Sequence, residues 1–436
     1  MNRKKYENFT MLLPAAVLFA LLYRTVMQEI ANPLSDVNGH VYVYILGFLQ
    51  DGFLSGWKEV PYCMWHLPVL FLYKVCGVPL ANGAGLVSGF FAALGYLVTY
   101  DLIRRYAERR NLGVSPLMSA LISFSFSLVQ GIYVDFWDAG ERFSGIFSMN
   151  PLHNPTHMAV RPFAMLCFAL VVDLWAVTEE GKEGLFFPVE RDVKKYRILL
   201  TVMLFLSAMA KPVFAEMFVP AVAFTMLVRW IAKCTRKEEG KAYFAECLRM
   251  LLCAVPALVY ILLQFLAYFM WGGSYGSDGG FTVTSWMEVW SLFSDNVLLS
   301  ILCGMAFPIY ILLLSGKWFL ENAMGRLALV GYGIGLLEAA LLGEGGVKLS
   351  HGDFLWPMMC GMLLWWLAAL LRLLELEGLQ GATAVTAPKA ADETTPARDA
   401  RAGAAPNLRN ALLCGAWLLF LAHVIFGFLY LRTLMG

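Results

Sequence analysis

The sequence predicts an all-α protein that crosses a membrane many times, and three observations carry that reading. The 436-residue chain is 59% hydrophobic and only 15% charged, with a mean hydropathy of +0.63, a balance foreign to water-soluble globular domains. Its apolar residues gather into segments near the ~20 residues that a helix needs to span hydrocarbon. The loops between them alternate in character, one set basic and the other rich in Gly, Trp, Tyr, Asp and His.

In chain order, the spans are expected near 10–28, 83–103, 114–134, 157–178, 197–211, 213–232, 248–270, 297–315, 326–342, 355–374 and 411–431. The stretch 65–80, "WHLPVLFLYKVCGVPL", is short for a crossing and carries Pro68 and Pro79. As a re-entrant or interfacial segment it leaves eleven transmembrane helices; as a crossing it makes twelve. In the first case the basic loops 104–110, 189–197, 229–241, 316–326 and 372–410 all face the cytosol. The N-terminus joins them as an uncleaved first span with Lys4 and Lys5 inside. The opposite face then receives 29–82, 135–156, a tight turn at Lys211–Pro212, 271–296, 343–354 and the C-terminus. This is the topology expected of a multi-pass cell-membrane protein with its polar loops outside. The Ala/Thr/Pro-rich segment 378–407 lacks bulky apolar residues and is expected to be a disordered cytosolic linker.

Other classes are excluded by what the chain lacks. A formal net charge of +1 gives no global field for nucleic acid. The nine cysteines lie mostly in apolar segments without CxxC or Cys/His spacing. No nucleotide-binding or zinc-finger signature occurs.

The first outside loop opens with "NPLSDVNGHVYVY", residues 32–44. Apolar positions 41, 45, 48 and 49 against polar 38, 47, 50 and 51 predict a helix over 38–57 lying on the membrane surface. If Asp36 opens that helix, it shares a face with His40 one turn on. A carboxylate beside an imidazole suits a general base, a metal pair or a lipid-phosphate contact. Capping of the helix by Asp36 is the alternative.

The second outside loop, "DFWDAGERFSGIFSMNPLHNPTHMAVRP", concentrates ionisable groups: Asp135, Asp138, Glu141, Arg142, His153, His157 and Arg161. His153 and His157 have metal-ligand spacing, yet Pro155 between them favours caps and turns over a zinc pair. Arg161 and Lys211 place cations at membrane depth, where a lipid-linked phosphate is a natural counter-ion. For Lys211 the alternative is snorkelling to the headgroups, with Glu216 as a pairing partner. The last outside loop, "GEGGVKLSHGDFLWP", offers Glu344, Lys348, His351 and Asp353.

The order of an outside acid after the first span, a surface helix ending in "QDGFLSGW", then "VPYCMWHLPVLFLYKVCGV", then a span closing with "TYDLIRR" resembles the type-C (GT-C) membrane glycosyltransferases. The likeness is to the bacterial branch akin to protein O-mannosyltransferases and lipid A aminoarabinose transferases. The matching positions are Asp36 with Tyr42 and Tyr44, Asp51–Gly52, the 61–68 stretch, and the Lys211–Pro212 hairpin, together covering about the first 215 residues. Val37 stands where the family usually has a second acid. The resemblance implies a GT-C-like module over 1–232 whose first outside loop, 29–82, forms juxtamembrane helices. Further helices over 233–377, the linker 378–407 and a last span over 408–436 complete the chain.

The resemblance also implies transfer of a sugar from a polyprenyl-phosphate donor to a cell-envelope glycan, lipid or protein acceptor, with Asp36 as general base and His40 beside it. The expected substrate-binding set is His66, Asp135, Asp138, His153, His157, Arg161, Lys211 and His351. Some such enzymes use a divalent cation, but "DFWD" is no DxD motif and leaves the metal unassigned. A polysaccharide polymerase or ligase, built on the second loop, and a transporter or flippase of lipid-linked sugars are the competing expectations.

Overall fold

The computed structural model describes residues 3–60, 62–133, 146–236, 240–270, 280–385 and 404–435. The long elements are all helical: α1 (Arg3–Glu29), α2 (Leu80–Arg109), α3 (Pro116–Phe126), α4 (Pro155–Glu180), α5 (Val193–Ala210), α6 (Val213–Thr235), α7 (Gly240–Phe269), α8 (Val297–Glu321), α9 (Ala323–Leu341), α10 (Trp356–Val385) and α11 (Ala404–Leu434). Each of the eleven expected segments carries one of them. Nine are long and apolar enough to cross a membrane among the described residues, which makes the chain an all-α polytopic membrane protein.

The two others depart from expectation in length. Helix α3 stops at Phe126 instead of running to 134, so its eleven residues rise only ~16 Å, about half the hydrocarbon thickness. Helix α5 has 18 residues and brings Lys194, Lys195 and Arg197 into its first turns. The stretch 65–80 forms a nine-residue helix, His66–Lys74, too short to cross. The linker expected over 378–407 is helical at both ends, because α10 continues to Val385 and α11 starts at Ala404; residues 386–403 lie outside the described set.

Local chemistry explains the boundaries near the site. Asn154 caps α4 and Pro155 occupies its first position, where a missing N–H costs nothing. Gly181, at φ 63°, ends the same helix in the left-handed conformation. Lys211 precedes a proline and is pushed to an extended φ of −165°, which stops α5 and turns the chain into α6.

Packing places α4 and α10 at the centre, each 89% buried along its span, with α1, α7 and α11 at the periphery at 33%. Helices α9 and α10 touch through glycine: a Cβ on Gly335 would lie 2.6 Å from the Met358 Cα. A two-stranded antiparallel ribbon, Phe281–Val283 with Leu342–Glu344, lies at the end opposite the basic loops. At the basic end, ion pairs tie the loops together: Arg109 to Glu183 at 2.8 Å, Arg229 to Glu179 at 2.6 Å and Arg110 to Glu375 at 3.3 Å.

Candidate functional site

The end of α1 with the loop after it, the segment between α3 and α4, the turn into α10 and the end of α11 line a cavity of about 430 Å³ at the end away from the basic loops. Asp36, His153 and His351 line it, together with Glu29, Gln130, Trp356 and Tyr430.

Asp36 opens a short helix, Asp36–Gly39, but Ser35 is the cap, its hydroxyl oxygen accepting from the Asn38 N–H. That frees the Asp36 carboxylate for tertiary contacts. Its Oδ2 accepts from Asn154 Nδ2 at 3.0 Å and lies 3.8 Å from His153 Nε2. The Asp36 side chain remains 46% exposed, open to the cavity. Val37, where the resemblance to the GT-C enzymes would put a second acid, is a core residue 1% exposed, a position where a carboxylate has no solvent.

His40 does not join Asp36, which corrects the expected i, i+4 pair. The backbone winds as a π-helix over His40–Ile45, and the imidazole Nδ1 meets His66 Nε2 at 3.0 Å. Both rings are buried among Tyr44, Tyr62 and Trp65. Burial, reinforced by the Lys211 charge, pushes the His40 imidazole down to about 3, and burial holds His66 well below the usual histidine range. The two are a neutral, hydrogen-bonded pair that braces the first loop. The surface helix expected over 38–57 is likewise broken, at Gly52 with φ 86°.

The second loop supplies the other wall. His153 Nδ1 is hydrogen-bonded to the Tyr430 hydroxyl of α11, and burial lowers its basicity despite the nearby Asp36 carboxylate. Asn154 is the hub. Its Oδ1 accepts from the His157 N–H at 2.8 Å, the Thr156 hydroxyl at 2.9 Å and the Lys211 ammonium at 3.4 Å, while its Nδ2 holds Asp36. Lys211 is buried rather than snorkelling, 7% exposed, with its Nζ 3.7 Å from the centre of the Trp356 ring.

Deeper in α4, His157 is fully buried 5.3 Å from the Trp356 ring, and neither ring nitrogen has a hydrogen-bond partner among the described residues. Arg161 is 2% exposed, its Nη1 reaching only the Met158 sulfur at 3.8 Å and its Nε unpartnered. Among the described residues neither Arg161 nor Lys211 has a carboxylate within 4 Å, and the Asp353, Asp36 and Glu216 carboxylates act on Lys211 only from farther off.

His351 reaches the cavity from the far side, 3.9 Å from Glu344. Asp135 and Asp138 lie outside the described residues. His66 is taken up by His40 and does not line the cavity. No group of three or more His, Cys, Asp or Glu is arranged to hold a metal among the described residues.

Sequence reasoning missed Tyr430, Glu29 and Trp356, which come from helix ends far apart in the chain, and Gln130, from the segment after α3. It also passed over Asn154 as a functional residue, although "NPTH" is a recognisable helix start. Compared with known proteins, the chain matches no family model, no curated relative and no solved structure.

Proposed function

We propose that the chain is an extracytoplasmic glycosyltransferase that moves a sugar from a polyprenyl-phosphate donor to a hydroxyl of a cell-envelope glycan, lipid or protein. The observation that supports it best is the pairing of opposite charges across one amide: Asn154 joins the Asp36 carboxylate at the cavity wall to the buried Lys211 ammonium.

The chemistry needs both. The acceptor hydroxyl loses its proton to Asp36 as its oxygen bonds to the anomeric carbon, and the carbon–oxygen bond to phosphate breaks with its electron pair going to the leaving phosphate. Lys211 and Arg161 supply the positive field for that charge, strengthened by the low dielectric of their burial. Trp356 stands between Lys211 and the cavity, so direct contact with a phosphate requires its ring to swing aside. The basic loops at the opposite end support a cytosolic N-terminus and an outward-facing cavity.

A polymerase or ligase is favoured by one observation, that His153 of the second loop lines the same cavity as Asp36. The test is transfer of radiolabelled sugar from polyprenyl-phosphate donors to a panel of acceptors by the purified chain in nanodiscs. Product carrying one sugar supports the transferase, growing chains support the polymerase, and no labelled product with any donor overturns both.

A further inference from the structure

His157 and Arg161 lie one turn apart on α4 and face Trp356 and Cys360, one turn apart on α10. These two helices are the most deeply buried spans of the bundle. A guanidinium is always charged and carries five N–H donors, yet Arg161 reaches only the Met158 sulfur and leaves Nε without a partner among the described residues. An imidazole carries at least one N–H in either tautomer, and neither nitrogen of His157 has a partner among the described residues.

The charge decides what is missing from this pair. The Asp353, Asp36 and Glu216 carboxylates act on Lys211 from beyond 4 Å, but Arg161 draws on no carboxylate among the described residues; its ionisable neighbour is the Cys360 thiol. Water can accept from the orphaned donors but leaves the buried charge in place, whereas an anion answers both. His157, Arg161 and Lys211 are each more than nine-tenths buried, so an ion among them is held without its water. That condition favours a single charge, because the cost of dehydration rises with the square of the charge. A halide also accepts from any direction, while a phosphate brings four oxygens that each need a donor.

We propose that the facing surfaces of α4 and α10 bind one halide ion, chloride in the cell, held by the Arg161 guanidinium and the His157 N–H with the Lys211 ammonium close by. Trp356 separates this site from the 430 Å³ cavity, so the ion enters from the cavity side as the ring swings. The site needs only the buried cations and stands whether or not the chain transfers sugar. In the transfer reaction the donor phosphate takes the place of the halide beside Lys211 and Arg161.

The experiment is equilibrium binding of radioactive chloride to the full chain in nanodiscs, with gluconate as the balancing anion. One chloride per chain is expected, displaced by bromide. Melting should rise with chloride at constant ionic strength, because a ligand of the folded state stabilises it. Arg161→Met should weaken binding at least about thirtyfold and make melting indifferent to chloride, and Arg161→Lys should restore part of the affinity. His157→Phe keeps a ring against Trp356 but loses the N–H, and should cost about tenfold. Lys317→Gln, an 86% exposed cation on α8, should change nothing. Where Arg161→Met does not fold, His157→Phe and the chloride dependence of wild-type melting carry the test. No saturable chloride binding by wild type, equal affinity in His157→Phe, or a melting shift that gluconate produces equally overturns the proposal. Sugar transfer without halide binding overturns this site alone, and halide binding without transfer overturns the proposed function alone.

Discussion

Asn154 donates from Nδ2 to Asp36 Oδ2 at 3.0 Å, across 118 residues of chain. The amide has no freedom to flip, because its Oδ1 accepts from the His157 N–H and the Thr156 hydroxyl at the start of α4. One side chain therefore caps a central helix and aims the proposed base.

Asn154→Asp separates these duties. The carboxylate still caps α4, so melting should stay within about 1 kcal/mol of wild type. It cannot donate to Asp36 and sets a like charge beside it, and transfer should fall more than about tenfold. A variant with wild-type transfer removes Asn154 from the positioning role.

Lys211→Met tests the buried cation. An ammonium buried without a direct ion pair carries a desolvation cost that Met does not, so thermal stability should hold or rise. If the ammonium serves the leaving phosphate, transfer should drop ~10²–10³-fold. Parallel loss of stability and activity would make Lys211 structural.

How much of this was readable beforehand differs between fold and site. Eleven apolar segments announced the helices because hydrocarbon forces the backbone to satisfy itself locally. The failures came where tertiary contacts overrule spacing. His40 leaves Asp36 for His66 because the π-helical turn and a partner 26 residues on decide its direction. Helix α3 ends early at Phe126, and the chain beyond it is held by side chains: Asn150 donates to the Phe126 and Val129 carbonyls. Asp36 stood out as a lone acid after a span, but its partners Asn154 and His153, and the Tyr430 that holds His153, come together only through the packing of α1, α4 and α11.

The His40–His66 pair makes the first loop sensitive to acid. Folded His40 titrates at about 3 against 6.5 when exposed, so between those values the unfolded chain binds the extra proton. Stability is full above pH 6.5 and should decline as the pH falls below it, by about 1.4 kcal/mol per pH unit for each proton taken up on unfolding. His40→Phe should flatten the melting temperature between pH 6.5 and 4; an unchanged pH profile would show that other groups govern it.

Gly427 lets α11 reach the cavity. A Cβ there would come 1.7 Å from the Leu128 carbonyl oxygen, beside the Gln130 N–H that donates to the His423 carbonyl at 3.1 Å. Gly427→Ala must push α11 outward and carry Tyr430 away from His153. The expected result is a loss of ~1–3 kcal/mol in stability together with reduced transfer, read by melting and assay of the same preparation.

The central claim is that Asp36 is the base of a sugar transfer, and Asp36→Asn tests it most directly. The amide keeps the shape of the site and loses the ability to take a proton. With purified chain in nanodiscs, donor binding should remain within about twofold of wild type while single-turnover transfer falls at least ~10²-fold. Transfer within threefold of wild type at equal donor occupancy would contradict the account.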